Sequence, residues 1–276
     1  MPKILTDDAV ASYHRDGFYF PVRVLSEERI AHYRARHAEI EARLGGKIEK
    51  GYTQKTNLIF TWVDELLHEP AGLDAVEDLI GPDIVLWSAE FFIKAPGDKR
   101  YVSWHQDDTY WHLDPPIEVT AWIAVSDVPE ESGPVRFIPG SHRSERYNVV
   151  NQPNPDNMLQ SGQIAQGVDE SKAVSAVLNA GELSLHHTKT LHASQPNIST
   201  GPRIGISARF IPTHVRQLVG RESAMLMRGV DTFRNFDPEP RPKGDLDAAA
   251  LEAHRDAVLR HMAALRGSNY QAQAHF

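Results

Sequence analysis

Trp104-His105-Gln106-Asp107-Asp108-Thr109-Tyr110-Trp111 decides how this chain is read. Within it, His105 and Asp107 stand two residues apart. On a strand, that spacing projects an imidazole and a carboxylate from one face. One His and one carboxylate are two thirds of the 2-His-1-carboxylate facial triad, which holds Fe(II) and leaves coordination positions open. Such a site needs two further parts downstream: a second His, and a cation able to anchor a dicarboxylate co-substrate.

The second His is expected at His192, in Leu191-His192-Ala193-Ser194-Gln195-Pro196-Asn197. It falls just past an apolar strand that ends His186-His187, among small neighbours. His186 and His187 themselves are expected to be packed or hydrogen-bonded barrel residues that can orient the ligands. The cation is expected at Arg203, eleven residues after His192. A guanidinium grips a carboxylate through two parallel hydrogen bonds, which a Lys cannot reproduce. Arg203, Gly205, Ser207 and Arg209 share one strand face; Ile204, Ile206 and Ala208 share the other. Arg209 is the alternative anchor, or else a structural ion pair.

The 276 residues are 41% hydrophobic, enough for a sizeable core, and carry a formal charge of -8. An acidic balance without a basic stripe speaks against nucleic acid as a partner. It leaves a small anionic substrate open, since a pocket's local potential need not follow net charge. With no cysteine, disulfide frameworks, Cys-ligated zinc, iron–sulfur clusters and Cys nucleophiles are excluded together. No apolar h-region opens the chain and no apolar run is long enough to span a bilayer, so a cytoplasmic protein is expected.

Around the metal stretch the patterning is β-rich. Ile84 to Lys94, Ile117 to Val128, Val135 to Ile138, Ala173 to Leu178, Glu182 to His187 and Ile204 to Ile211 read as strands separated by turn residues. Val119, Ala121, Ile123 and Val125 alternate with Thr120, Trp122, Ala124 and Ser126. Upstream, Thr6 and Ser26 are N-cap candidates for helices closed by Gly17 and Gly45-Gly46, and Pro70 to Ile80 is a third helix. His32 and His37 are expected at the surface or boundary of the second helix. Tyr52 to Trp62 is a strand or a loop over a pocket. The long Asn/Gln/Pro/Gly-rich segment 146–170 reads as a lid or a surface insertion. After a Pro-rich linker, Asp245 or Asp247 caps a last helix with an apolar stripe of Leu251, Val258, Leu259, Met262 and Leu265. The expected architecture is mainly β with flanking helices: a double-stranded β-helix, or jelly roll, of the cupin-like kind. One domain spans 1–276, with a β core at about 82–212, a helical flank at 1–81 and a C-terminal extension at 213–276.

These pieces together resemble the phytanoyl-CoA dioxygenase family of iron/2-oxoglutarate oxygenases. The resemblance rests on His105-Gln106-Asp107, Thr120 to Ala124, Gly133 to His142, and the block Gly181 to Arg203. It implies Fe(II) on His105, Asp107 and His192. It also implies 2-oxoglutarate and O₂ as co-substrates, with Arg203 on the far carboxylate and Ser194 and Trp122 lining that pocket. Trp87 to Asp98, leading into Trp104-His105-Gln106, is similar to the syringomycin-type halogenases. Those enzymes carry Ala or Gly where this chain has Asp107, and the missing carboxylate makes room for chloride. Asp107 therefore implies hydroxylation. Thr109 to His112 and Ala224 to Gly229 resemble bacterial organophosphonate hydroxylases.

The substrate is expected to be a small molecule met by Asp108, Tyr110 and Trp111, which follow the metal motif. Tyr110, Trp111, Tyr52 and Trp62 are candidates for an aromatic wall around an ammonium group. Arg209, Arg100, Arg136 or Asn57 are candidates for an anionic end. An aminoalkylphosphonate or its N-methylated form fits both ends; an amino acid, a betaine or a natural-product intermediate does too.

Overall fold

The computed structural model describes residues 2–159 and 162–267. The last part of the expected C-terminal extension, 268–276, and two positions of the 146–170 segment, Gln160 and Ser161, lie outside the described residues. Two sheets dominate, antiparallel except for the edge pair Ser223–Arg228 and Asp237–Pro238, which is parallel. The larger has seven strands in the order Phe18–Arg23, Glu182–His187, Val119–Ala124, Arg203–Pro212, Ile84–Lys94, Ser223–Arg228 and Asp237–Pro238. The smaller orders Val102–His105, His192–Ser194, Val135–Phe137 and Val174–Ser175. This is the jelly-roll arrangement expected. The flanks, however, are part of it: Phe18–Arg23 closes one edge of the large sheet, and Ser223–Arg228 and Asp237–Pro238 extend the other.

Strand alternation sorts chemistry from packing. Val119, Ala121, Ile123, Leu183, Leu185, Ile206, Ala208 and Phe210 put their side chains on the outer face of the large sheet, in one apolar cluster with the helices. Those helices are α1 (Asp7–Asp16), α2 (Glu27–Arg43), α3 (Thr61–Leu67) and α4 (Pro70–Ile80). Thr6 and Ser26 cap α1 and α2 as expected. The alternate positions, among them Trp122, His186, Arg203, Ser207 and Arg209, face the smaller sheet and line a cavity between the two.

Several expectations change in this layer. His37 is buried rather than at the boundary; its ring meets Trp62 and Phe91 edge-on, and burial lowers its pKa to about 4. Trp62 stacks on Phe91 at 5.7 Å in the helix–sheet core, and Tyr52 packs at the edge of the same cluster, so neither belongs to a substrate wall. The stretch around them is two 3₁₀ turns leading into α3. The last helix, α6 (Ala248–Arg266), is capped by Asp247. Its fully buried residues are Ala250, His254, Ala257, His261 and Ala264; of the expected stripe, Leu251 and Leu265 pack half-buried against the body, Met262 and Leu265 face the cavity, and Leu259 is 49% exposed. Small residues let the helix approach closely, and its two buried imidazoles have fixed partners in Gln54 O and Glu222.

Candidate metal centre and co-substrate pocket

Val102–His105 ends where the site begins. Asp107 has helical backbone angles and opens the short helix α5 (Asp108–Trp111). His105 and Asp107 therefore do not share a strand face; the chain turns out of the strand and brings the carboxylate back beside the imidazole. Asp107 Oδ1 lies 3.3 Å from His105 Nε2. His192 is the first residue of His192–Ser194 and pairs directly with His105 across the antiparallel ladder. Cross-strand neighbours project on the same side, and the two rings are 4.1 Å apart. His192 Nε2 is 3.8 Å from Asp107 Oδ2. One ligand atom from each of the three residues lies within 4.8 Å of the other two.

The tautomers suit a metal. His105 Nδ1 donates to Ser103 O and His192 Nδ1 donates to Thr190 O, both at 2.9 Å. A carbonyl only accepts, so each Nδ1 carries the proton and each Nε2 presents its lone pair. Burial, then the adjacent His105, lowers the pKa of His192 to about 4 and keeps it in the neutral, ligating form. Burial alone would raise the Asp107 pKa. The surrounding groups, the Arg209 cation among them, outweigh it, and the carboxylate stays ionised. His186 sits behind the cluster, its Nε2 3.9 Å from Asp107 Oδ2, with neither ring nitrogen hydrogen-bonded. His187 points elsewhere and accepts from Lys189 N.

Arg203 enters the same cavity from the large sheet. It is 1% exposed; its Nη1 donates to Gly133 O and its guanidinium lies 5.3 Å from the Trp122 ring centroid. Its Nε has no hydrogen-bond partner, and no carboxylate pairs with it among the described residues. Burial pushes this cation down to about 9. A buried cation lacking an anion is the receptor a dicarboxylate needs. Gly205 makes room: a Cβ there would lie 2.0 Å from Trp122 Cζ2. Ser194 Oγ accepts from Lys94 Nζ at 2.8 Å, and Lys94 also donates to Gln195 O. Lys94 is fully buried, and burial followed by the nearby Arg203 lowers it to about 6. Sequence reading gave Lys94 no part in the site; only its place as the last residue of Ile84–Lys94, opposite Arg203, brings it there.

The cavity encloses ≈ 210 Å³. Its wall includes the expected Tyr110, Trp111 and Arg209, together with Trp87, which sequence reading passed over. Arg209 is an ion pair with Glu90 at 3.2 Å and lies 4.9 Å from the Trp111 ring centroid. Met158, Leu159 and Gln163 bring the 146–170 segment to the cavity as a wall. It is tethered through Tyr101 N to Asp156 O and Asn157 Nδ2 to Ser103 Oγ. Asp108 lies beside the main cavity, held by Arg146 at 2.9 Å. Asn57 is buried at the helix–sheet side and is absent from the cavity wall. Arg100 is engaged by Asp98, and Arg136 by Glu170 and the Trp104 ring. α6 completes the wall with His261, Met262, Leu265 and Arg266, none of which sequence reading placed in the site.

The chain is similar to known non-haem oxygenases in sequence and fold. The non-haem monooxygenase ThoJ is 32% identical over 95% of this chain and 99% of its own, with a TM-score of 0.83 for its apo form. Its nickel complex superposes with a TM-score of 0.78. A "Probable alpha-ketoglutarate-dependent hypophosphite dioxygenase" of Stutzerimonas stutzeri is 26% identical over 149 residues, 53% of this chain and 52% of that protein. The ectoine dioxygenase of Bordetella parapertussis (strain 12822) is 25% identical over 229 residues, covering 73% and 74% of the two chains. No described helix is long and apolar enough to cross a membrane. Residues 13–205 match the Phytanoyl-CoA dioxygenase (PhyH) family, and the chain belongs to that family of iron(II)- and 2-oxoglutarate-dependent non-haem oxygenases.

Proposed function

We propose that the protein hydroxylates an aliphatic C–H bond of a small polar molecule, with an aminoalkylphosphonate or its N-methylated form as the leading substrate class. One observation carries the reading. The His105, Asp107 and His192 ligand atoms share a cavity with the buried, carboxylate-free guanidinium of Arg203. A binding-only module does not require that second feature. When bound, Fe(II), 2-oxoglutarate and O₂ supply the oxidising chemistry, and succinate is the by-product. His105, Asp107 and His192 hold the metal, and Arg203 with Ser194 and Trp122 orients the co-substrate. Trp87, Trp111 and Tyr110 shield the site from water and present aromatic faces to a cationic group. Asp107 occupies the ligand position that a chloride would need, which favours hydroxylation over halogenation.

The cavity volume lies below the roughly 300–1,000 Å³ of drug-sized ligand sites, and the co-substrate takes part of it. That argues for a small substrate. A phosphorus oxyanion is the kind of molecule named for the hypophosphite relative. The ectoine relative favours the second reading, an amino acid or betaine.

The test is a product screen. Purified protein receives Fe(II), 2-oxoglutarate, O₂ and chloride with a panel of aminoalkylphosphonates, N-methylated forms, betaines and amino acids. A product heavier by one oxygen, formed with succinate, is expected from the phosphonates. A chlorinated product overturns the role given to Asp107. Calorimetric titration of 2-oxoglutarate with and without a divalent metal tests the oxygenase reading itself, because metal-independent binding, or none, contradicts it.

A further inference from the structure

We propose that Arg266, in the last turn of α6, receives the anionic group of the organic substrate and so sets specificity. This rests on the oxygenase reading above and deepens it.

Three arginines line the cavity: Arg203, Arg209 and Arg266. Arg209 is already neutralised by Glu90 and capped by Trp111. Arg203 lies beside Ser194 and Lys94 and is the receptor for the co-substrate's far carboxylate. Arg266 is the remaining cation. Its Nε is shielded from solvent and without a hydrogen-bond partner, and no carboxylate pairs with it among the described residues. A guanidinium nitrogen kept from water costs free energy unless an acceptor reaches it. The cavity thus offers two arginines without carboxylate partners among the described residues, one more than the co-substrate's far carboxylate needs.

The helix that carries Arg266 is fixed against the body from inside the cavity. His261 Nδ1 donates to Glu222 Oε2 at 2.8 Å, and the same oxygen accepts from Trp87 Nε1 at 3.1 Å. His254 Nε2 donates to Gln54 O at 2.8 Å. Trp87 and Gln54 are themselves cavity wall. α6 is therefore a built side of the site, and a rigid support is what a planar, bidentate donor needs to select an oxyanion. Arg266 stands one residue beyond Leu265 and four beyond Met262, so the oxyanion end is flanked by apolar contacts.

The experiment uses the full chain loaded anaerobically with Mn(II) and saturating 2-oxoglutarate, titrated with methylphosphonate and, separately, with acetate. Arg266→Gln is expected to weaken binding of at least one probe tenfold or more while 2-oxoglutarate affinity stays within twofold of wild type. Loss with methylphosphonate assigns a phosphonate; loss with acetate assigns a carboxylate. Arg266→Lys keeps the charge without the fork and is expected to fall between. In turnover, the same loss appears in KM with kcat retained, which a merely structural role would not produce. Equal probe affinity in Arg266→Gln overturns the proposal, as does failure of the loaded wild type to bind either probe. Failure of the oxygenase reading shows separately, as absent metal-dependent 2-oxoglutarate binding.

Discussion

Gly205→Ala is a single-methyl perturbation whose effect follows from one contact. The added Cβ would stand 2.0 Å from Trp122 Cζ2 and 2.4 Å from Cη2. Carbon atoms pack best at about 3.5–4.0 Å, so the indole must retreat by roughly 1.5 Å. It has little room, because Trp122 is 3% exposed and packs with Phe18, Val135 and Phe137 between the sheets. Overpacking of this kind costs about 1–3 kcal/mol. Gly205 does not have a left-handed backbone, so Ala also restricts the unfolded chain and returns about 0.4–1 kcal/mol. The net loss of about 1–2 kcal/mol corresponds to a Tm fall of roughly 2–8 °C. The functional consequence is larger, because the displaced indole is the ring under the Arg203 guanidinium. Misplacing an anchoring group by about 1 Å can cost on the order of a hundredfold; for a shared anchor we expect 2-oxoglutarate affinity to fall about tenfold or more. Calorimetry in the presence of Mn(II), alongside a thermal melt, measures both. Trp122→Phe in the Gly205→Ala background removes the colliding atoms and should restore part of the binding. Wild-type Tm together with wild-type 2-oxoglutarate affinity in Gly205→Ala would refute the reasoning.

Arg203→Ala should weaken 2-oxoglutarate binding far more than Mn(II) binding, and unchanged 2-oxoglutarate affinity would move the anchor elsewhere. Lys94 is held at about 6, against about 10.5 in the unfolded chain. Between those values the unfolded state binds a proton that the native state does not, so this group makes stability rise with pH across the window. Lys94→Met should therefore show a smaller gain in urea-unfolding free energy from pH 7 to pH 9 than wild type; identical gains would contradict the burial argument. Glu222→Gln weakens the acceptor shared by Trp87 and His261. It should lower stability by about 1–3 kcal/mol and raise substrate KM while leaving metal-dependent 2-oxoglutarate binding unchanged. A lower 2-oxoglutarate affinity in that variant would show that the network serves the wrong ligand.

Much of the site was legible because its parts obey local rules. His105 and Asp107 lie close in sequence, and His192 and Arg203 each open a strand, the two strands being joined by one short loop. Period-two alternation then places Arg203, Gly205, Ser207 and Arg209 on one face without reference to anything distant. Asp107 does not lie on the strand face that its spacing from His105 predicts. The strand ends at His105, and the carboxylate arrives through a helical turn that motif spacing does not reveal. The substrate side was poorly legible. Trp62 and Asn57 have the composition of cavity residues but belong to the helix–sheet layer, and Trp87 has the composition of core but lines the cavity. An aromatic residue on a strand buried on both faces carries no local mark of which side it serves.

The α6 helix shows the same division. Its cap at Asp247 and its length were readable from local chemistry. Its docking was not, because the face it buries is chosen by Gln54 and Glu222, roughly forty to two hundred residues away. Sequence alone determined the reaction class, through ligand residue types and strand periodicity, which act over a few positions. Tertiary structure decided which cations are left without a carboxylate: among the described residues Arg209, Arg100 and Arg136 meet one, while Arg203 and Arg266 do not. Charge pairing is a property of distance in space, and no spacing along the chain encodes it.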